Sequence, residues 1–241
     1  MSILAIDVGT TGVTALLVSE DATIAARGYQ EFTQYFPQEG WVEHDPAEIW
    51  AAALAACEAA LAGQEPPTAI GITNQRETLV LWDRETLGSP MKAIVWQDRR
   101  TAGICAQLRG DGNEDMVTER TGLRLDPYFT ATKLTWVHDN EPQVWAGVNS
   151  GRTAAGTVDS YLIARLTRGV LHVTDASNAS RTLLYNLATG DWDDELCELF
   201  GVPRSALPEI VASYGEIGVT EPSVFFGLAI PIAGIAGDQQ A

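Results

Sequence analysis

Residues 3–19 read ILAIDVGTTGVTALLVS: an apolar run to Ile6, an acid at Asp7, the small-residue turn Gly9-Thr10-Thr11-Gly12, and a second apolar run from Val13. Short apolar runs broken by Gly and Thr predict strands, and so tight a turn makes the strands antiparallel neighbours. A third, weaker run at 22–29 follows Glu20 and Asp21, so the chain is expected to open as a three-stranded meander.

Further along, Asp45 precedes Pro46 and Glu48 in a capping-box-like start. Ile49, Ala53, Cys57 and Leu61 then recur every four residues along one face of a helix that Gly63 ends. β-like runs are expected at 69–73, 78–82, 92–96 and 183–187, and a last strand at 230–235 leads into Gly237-Asp238. Helices are expected at 100–108, 130–138, 157–167 (Thr157 as N-cap) and 193–200, the last stopped by Gly201. Residues 172–182, HVTDASNASRT, read as polar and turn-rich. A meander followed by strands alternating with helices predicts an α/β domain with a mixed sheet. The sequence stops three residues past Asp238, at the strand edge where open α/β sheets bind ligands. A second domain is therefore expected to be absent from the chain.

Composition narrows the partners. With 32 acidic residues against 15 Lys and Arg, the net charge is −17. Nucleic acid and anionic membrane surfaces, which need clustered cations, are disfavoured. The N-terminus has no basic segment before its apolar run, and the stretch 224–237, interrupted by Pro231, falls short of the roughly 20 residues of a membrane helix. Cys57, Cys105 and Cys197 form no C-x-x-C pair and sit in apolar helix-like stretches. Buried free thiols, a reducing compartment and a cytoplasmic location are expected.

Five segments carry candidate chemistry. In Asp7-Val8-Gly9-Thr10-Thr11-Gly12, small residues let backbone N–H groups approach phosphate, and the carboxylate suits Mg²⁺ held through water; the same pattern also makes ordinary hairpins. Asn74-Gln75-Arg76-Glu77-Thr78 follows an apolar strand and offers a donor fork beside an acceptor, suited either to a polyol or to a surface ion pair. Trp96, in Trp96-Gln97-Asp98-Arg99-Arg100, suits either an apolar wall for a carbon chain or a core position. Tyr128, after Asp126-Pro127, suits a pocket hydroxyl or a packed helix start. Asp238, in Gly237-Asp238-Gln239-Gln240, suits a general base or a helix N-cap. His44, His138 and His172 are scattered and make no metal spacing, and no P-loop is present.

Together with GWVEHDP (40–46), GTVDSYLI (156–163) and HVTDASNASRTLLYN (172–186), these segments in this order resemble glycerol kinases of the FGGY sugar-kinase family over essentially the whole chain. The D-x-G-T loop alone fits any actin-like ATPase; NQRET, WQDRRT and DPYF are narrower. The resemblance implies an RNase H-like domain of the superfamily joining actin, heat-shock ATPases and sugar kinases. It implies that residues 1–241 are the N-terminal domain, ending at an interdomain boundary. Arg76, Glu77, Tyr128, Asp238 and Gln239 would bind glycerol, and Trp96 would pack on its carbons. Thr10, Thr11 and Gly12 would line the ATP phosphates, Asp7 and Asp238 would face Mg²⁺, and Asp238 would be the base.

Two departures stand out. Thr14 occupies a place where many glycerol kinases have an Arg that contacts nucleotide phosphate. The loop 223–229, with two Phe and one Gly, has no cation for fructose 1,6-bisphosphate, which binds there in bacterial relatives. Rival readings are a kinase for another polyol or ketose and a non-catalytic actin-like binding module. Homo-oligomer formation at full length stays open.

Overall fold

Strands β1 (Ser2–Val8), β2 (Gly12–Ser19) and β3 (Ile24–Glu31) form the expected antiparallel meander in a computed structural model that describes all 241 residues. Strands β4 (Gln34–Tyr35) and β5 (Glu43–His44) lead to helix α1 (Pro46–Leu61). β6 (Ala69–Asn74), β7 (Val80–Asp83) and β8 (Ala93–Ile94) follow. Helices α2 (Ala102–Gly110), α3 (Glu114–Thr121), α4 (Thr130–Asn140) and α5 (Pro142–Asn149) precede β9 (Thr153–Gly156) and α6 (Val158–Leu166). The chain continues through β10 (Val173–Asp175), α7 (Ala176–Ala179), β11 (Tyr185–Asn186), β12 (Asp191–Trp192) and α8 (Asp194–Phe200). It finishes with β13 (Glu209–Val211), β14 (Tyr214–Val219) and β15 (Pro231–Gly237).

The main sheet has the order β14-β15-β6-β1-β2-β3, with β6 parallel to β1 and β15 parallel to β6. It is the mixed sheet that the strand and helix pattern predicts. Its register places Val8, Asn74 and Gly237 side by side at the carboxyl ends of three parallel strands. The loops that leave those ends must therefore be neighbours, and this crevice is where such sheets bind ligands.

Two apolar cores lie on either side of β7. Val80 and Trp82 join the core formed by the main sheet, α1 and α6, whereas Leu79 and Leu81 join a second core that includes Leu134, Trp145 and Phe200. Successive strand residues point to opposite faces, so one short strand serves both. The three cysteines are buried and free, and burial pushes their thiols up, Cys57 to about 12 and Cys105 and Cys197 to about 11. No helix is long and apolar enough to cross a membrane.

Several local expectations change. Asp45 caps α1 by accepting from the Ala47 N–H at 2.9 Å, but the capping box does not form. Glu48 instead accepts from the Thr33 N–H at 3.0 Å and from the Tyr35 hydroxyl, tying the helix to β4 and the residue before it. Thr157 precedes α6, yet its hydroxyl donates to Asp159 at 2.5 Å and caps nothing. Residues 172–182 hold β10 and α7, with Thr174, Asp175 and Asn178 buried. Their polar groups bond one another, so a buried segment has the composition of a surface loop. Helix α3 buries only Val117 and Thr121, too few apolar positions to show a period.

His172 yields an acid-stability prediction. Its Nε2 contacts the Ala155 carbonyl at 3.1 Å, and its Nδ1 lies 3.1 Å from the Arg84 guanidinium, which donates to it. Burial first and Arg84 second push the imidazole down to about 4. The unfolded histidine takes up a proton as pH falls through 6.5 while the folded one does not, so stability is lost from about pH 6.5 down to about 4 and no further below it. The loss is on the order of 3 kcal/mol from this residue. Urea midpoints at pH 7 and 4.5 check it: His172→Asn should show a clearly shallower loss than the native chain.

Candidate active site

The Arg76–Thr78 turn leaves β6 into the crevice. Arg76 and Glu77 are 4% and 2% exposed, which removes the surface ion-pair reading. Glu77 holds a left-handed backbone, φ +40°, and the Thr78 N–H closes the turn onto the Arg76 carbonyl. The Glu77 carboxylate accepts from Arg181 Nε at 2.7 Å through one oxygen, and its other oxygen bonds nothing in the chain. Burial pushes its carboxyl up, opposed by Arg181, Arg76 and Lys133. Arg76 Nε lies 3.2 Å from an Asp238 oxygen but is not aimed at it, and no other group in the chain bonds the guanidinium.

Asp238 leaves the end of β15 in a turn. Its backbone N–H donates to the Asn74 carbonyl at 3.0 Å, and the Gly237 N–H donates to the Ser177 hydroxyl at 2.8 Å. A Cβ on Gly237 would lie 2.2 Å from Arg76 Cδ, so only glycine lets the guanidinium stem pass beneath the Asp238 backbone. Asp7 is the next-to-last residue of β1, on the neighbouring strand. Its carboxyl is raised, first by partial desolvation and then by the charge of Asp238, so the two acids face one region. No group of three or more acids, His or Cys gathers there.

Trp96 joins the two halves of the site. Its indole Nε1–H donates to the Thr10 hydroxyl at 3.0 Å, and its ring meets Tyr128 edge to face at 5.4 Å. Gln75 Nε2 donates to the Gly9 carbonyl at 3.0 Å, a second tie between the β1 and β6 loops. A Cβ on Gly12 would lie 2.7 Å from the Gln30 carbonyl, so the loop requires glycine there. A crevice of about 480 Å³ opens beside Asp7 and Thr14 on the sheet face opposite α1, and no cation lines it.

The sequence model of the N-terminal domain of FGGY carbohydrate kinases matches residues 2–241. The chain belongs to the FGGY family of carbohydrate kinases. It is 56% identical over 243 residues to a glycerol kinase of Methylobacterium nodulans, covering 99% of this chain and 48% of that one. It superposes on a Plasmodium falciparum glycerol kinase solved with ADP at a TM-score of 0.95 and 33% identity, covering 99% of this chain and 49% of that one. For a xylulose kinase from Rhodospirillum rubrum the TM-score is 0.89, the identity 26% and the coverages 99% and 49%. The chain spans about half the length of the curated relatives it matches.

Most of the residues expected at this FGGY site come together: Asp7, Thr10, Arg76, Glu77, Trp96, Tyr128 and Asp238. Gln239 lies exposed in the final turn and makes no side-chain hydrogen bond, and Thr11 is exposed in the loop. Asp98 and Arg100, next to Trp96, form a buried pair at 2.8 Å with Arg100 stacked on Trp41, a structural knot away from the pocket. Sequence reasoning missed two cations. Arg181, in the segment read as a turn, grips Glu77 and lies 5.0 Å from the Phe129 ring. Lys133 in α4 is fully buried, and burial pushes its amine down to about 7 against the charges of Glu77, Asp98, Cys105 and Asp126. The one available signal was that a buried Glu needs a cation.

Proposed function

We propose that this FGGY domain carries the polyol pocket and catalytic base of an ATP-dependent glycerol kinase, which moves the γ-phosphoryl group of ATP to a terminal hydroxyl of glycerol. The observation that carries the reading is the grouping of a free guanidinium fork on Arg76, a free oxygen on Glu77 and the Asp238 carboxylate on the neighbouring loops at the carboxyl edge of the main sheet.

Arg76 donates to substrate oxygens while Glu77 accepts from a hydroxyl, so two neighbouring alcohols are held in one orientation. Arg181 behind Glu77 keeps that acceptor from swinging. Trp96 and Tyr128 present ring edges and faces to the carbon chain and keep water from it. Asp238 takes the hydroxyl proton as the oxygen–phosphorus bond forms and ADP leaves. Backbone N–H groups and hydroxyls of Thr10, Thr11 and Gly12 cradle the phosphates. The two facing acids, Asp7 and Asp238, fit Mg²⁺ held through water, which would supply charge neutralisation at the phosphates. On this reading the domain ends at the boundary with a second lobe, and that lobe supplies most of the adenine site.

The Trp96–Tyr128 pair favours a short triol over a ketose, because bulky rings narrow the pocket. The test is a coupled ADP assay with glycerol and xylulose on the protein at the full length of its relatives. Glycerol should be preferred by at least about 10-fold in kcat/KM. Preference for xylulose would assign a ketose kinase instead, and no turnover with either, with no glycerol binding by calorimetry, would leave a binding module.

A further inference from the structure

We propose that Lys133 is a positioning residue that sets the polyol clamp by binding the two loops of the pocket to one ammonium group. The inference rests on the polyol-kinase reading. Lys133 Nζ donates to the Tyr128 carbonyl at 2.6 Å, to the Glu77 carbonyl at 3.1 Å and to the Phe129 carbonyl at 3.4 Å. The first and third belong to the loop that places the Tyr128 ring against Trp96, and the second belongs to the residue whose carboxylate forms the clamp. Three N–H groups meet three carbonyls, which uses the full donor capacity of an ammonium.

The placement works against helix stability. Lys133 stands in the first turn of α4, where the positive end of the helix dipole repels a cation. Its 0% exposure removes all hydration from the charge. Its carbonyl partners lie outside the helix body, and one lies 56 residues away on the β6 loop. Glu77 also has a positive φ, a conformation that persists only where its surroundings over-determine it. The Thr130 hydroxyl, 3.1 Å from the same Glu77 carbonyl, adds a second donor from the same helical turn. Helix α4 thus clamps the one backbone carbonyl that decides where the Glu77 carboxylate points.

The deciding variant is Lys133→Met, which keeps the length and apolar packing and removes all three donors. Two readouts are needed. On the 241-residue chain, amide exchange at Thr78 and Phe129 should rise while exchange in β1 and β6 stays as in the native chain; this arm requires no activity. On the full-length kinase, glycerol KM should rise about 10- to 100-fold with ATP KM within about 2-fold of the parent. Lys133→Gln, which keeps two N–H groups, should fall between. Unchanged exchange and unchanged glycerol KM would overturn the inference. So would a lowered melting temperature with parental KM, since Lys133 would then serve folding alone. Should Lys133→Met fail to fold, Lys133→Gln is read by the same criteria, and failure of both to fold also overturns the positioning role. A parent kinase with no polyol turnover would sink the functional reading, while the exchange arm would still decide whether Lys133 holds the two loops.

Discussion

Asp238→Asn should lower turnover of the full-length kinase by at least about 10²-fold while its melting temperature stays within about 4 °C of the parent. The two halves of that result have separate causes. On the proposed reading the substitution keeps shape and removes the proton acceptor, so the hydroxyl must attack without a base. Asn also offers weaker company to Mg²⁺ opposite Asp7. Stability is spared because Asn keeps the size and capping ability of Asp and the side chain is 47% exposed; its one charge contact, 3.2 Å from Arg76, is not an aligned hydrogen bond. Glycerol KM should change less than turnover, because on the proposed reading Arg76 and Glu77 hold the substrate. The paired measurement is thermal melting with turnover at saturating glycerol and ATP. An easily unfolded variant that keeps its turnover would make Asp238 a structural residue.

Arg76→Ala should lower kcat/KM for glycerol by about 10²-fold, through KM and kcat together. The guanidinium is buried at 4% exposure, and its Nη groups bond nothing else in the chain, so its donors are available to substrate. Removing it leaves substrate oxygens unpaired and takes the cation away from both Asp238 and Glu77. Arg76→Lys should recover only part of the loss, since a point charge cannot reproduce the planar fork. Parental kinetics for Arg76→Ala would place the guanidinium outside the substrate's reach.

The site residues differ in how far local sequence could reveal them. Asp7 and the turn to Gly12 were legible because a strand, a Gly-rich turn and a strand are short-range patterns. The Asn74–Thr78 segment stayed ambiguous, since five polar residues at the end of an apolar strand suit a surface hairpin equally well. Its near-total burial, which the segment's composition does not reveal, removes the surface-hairpin reading. Arg181 was invisible as a partner because Glu77 lies 104 residues before it. Lys133 was hidden by a different cause: a lysine on a helix is ordinarily a solvated residue, and nothing around it announces that the carbonyls of two other loops converge on its amine.

The sequence by itself determined the opening meander, helix α1 with its Asp45 cap and the apolar strand that ends at Gly237. These follow from period, turn chemistry and motif, all of which act over a few residues. Only the tertiary structure decided that Asp7, Arg76 and Asp238 lie at one edge of the main sheet. The reason is the register of three parallel strands, which sets Val8, Asn74 and Gly237 in one row although they lie far apart along the chain. It also decided which cations stand behind Glu77. A buried charge requires a partner, but the partner is whichever side chain the folded chain brings within reach.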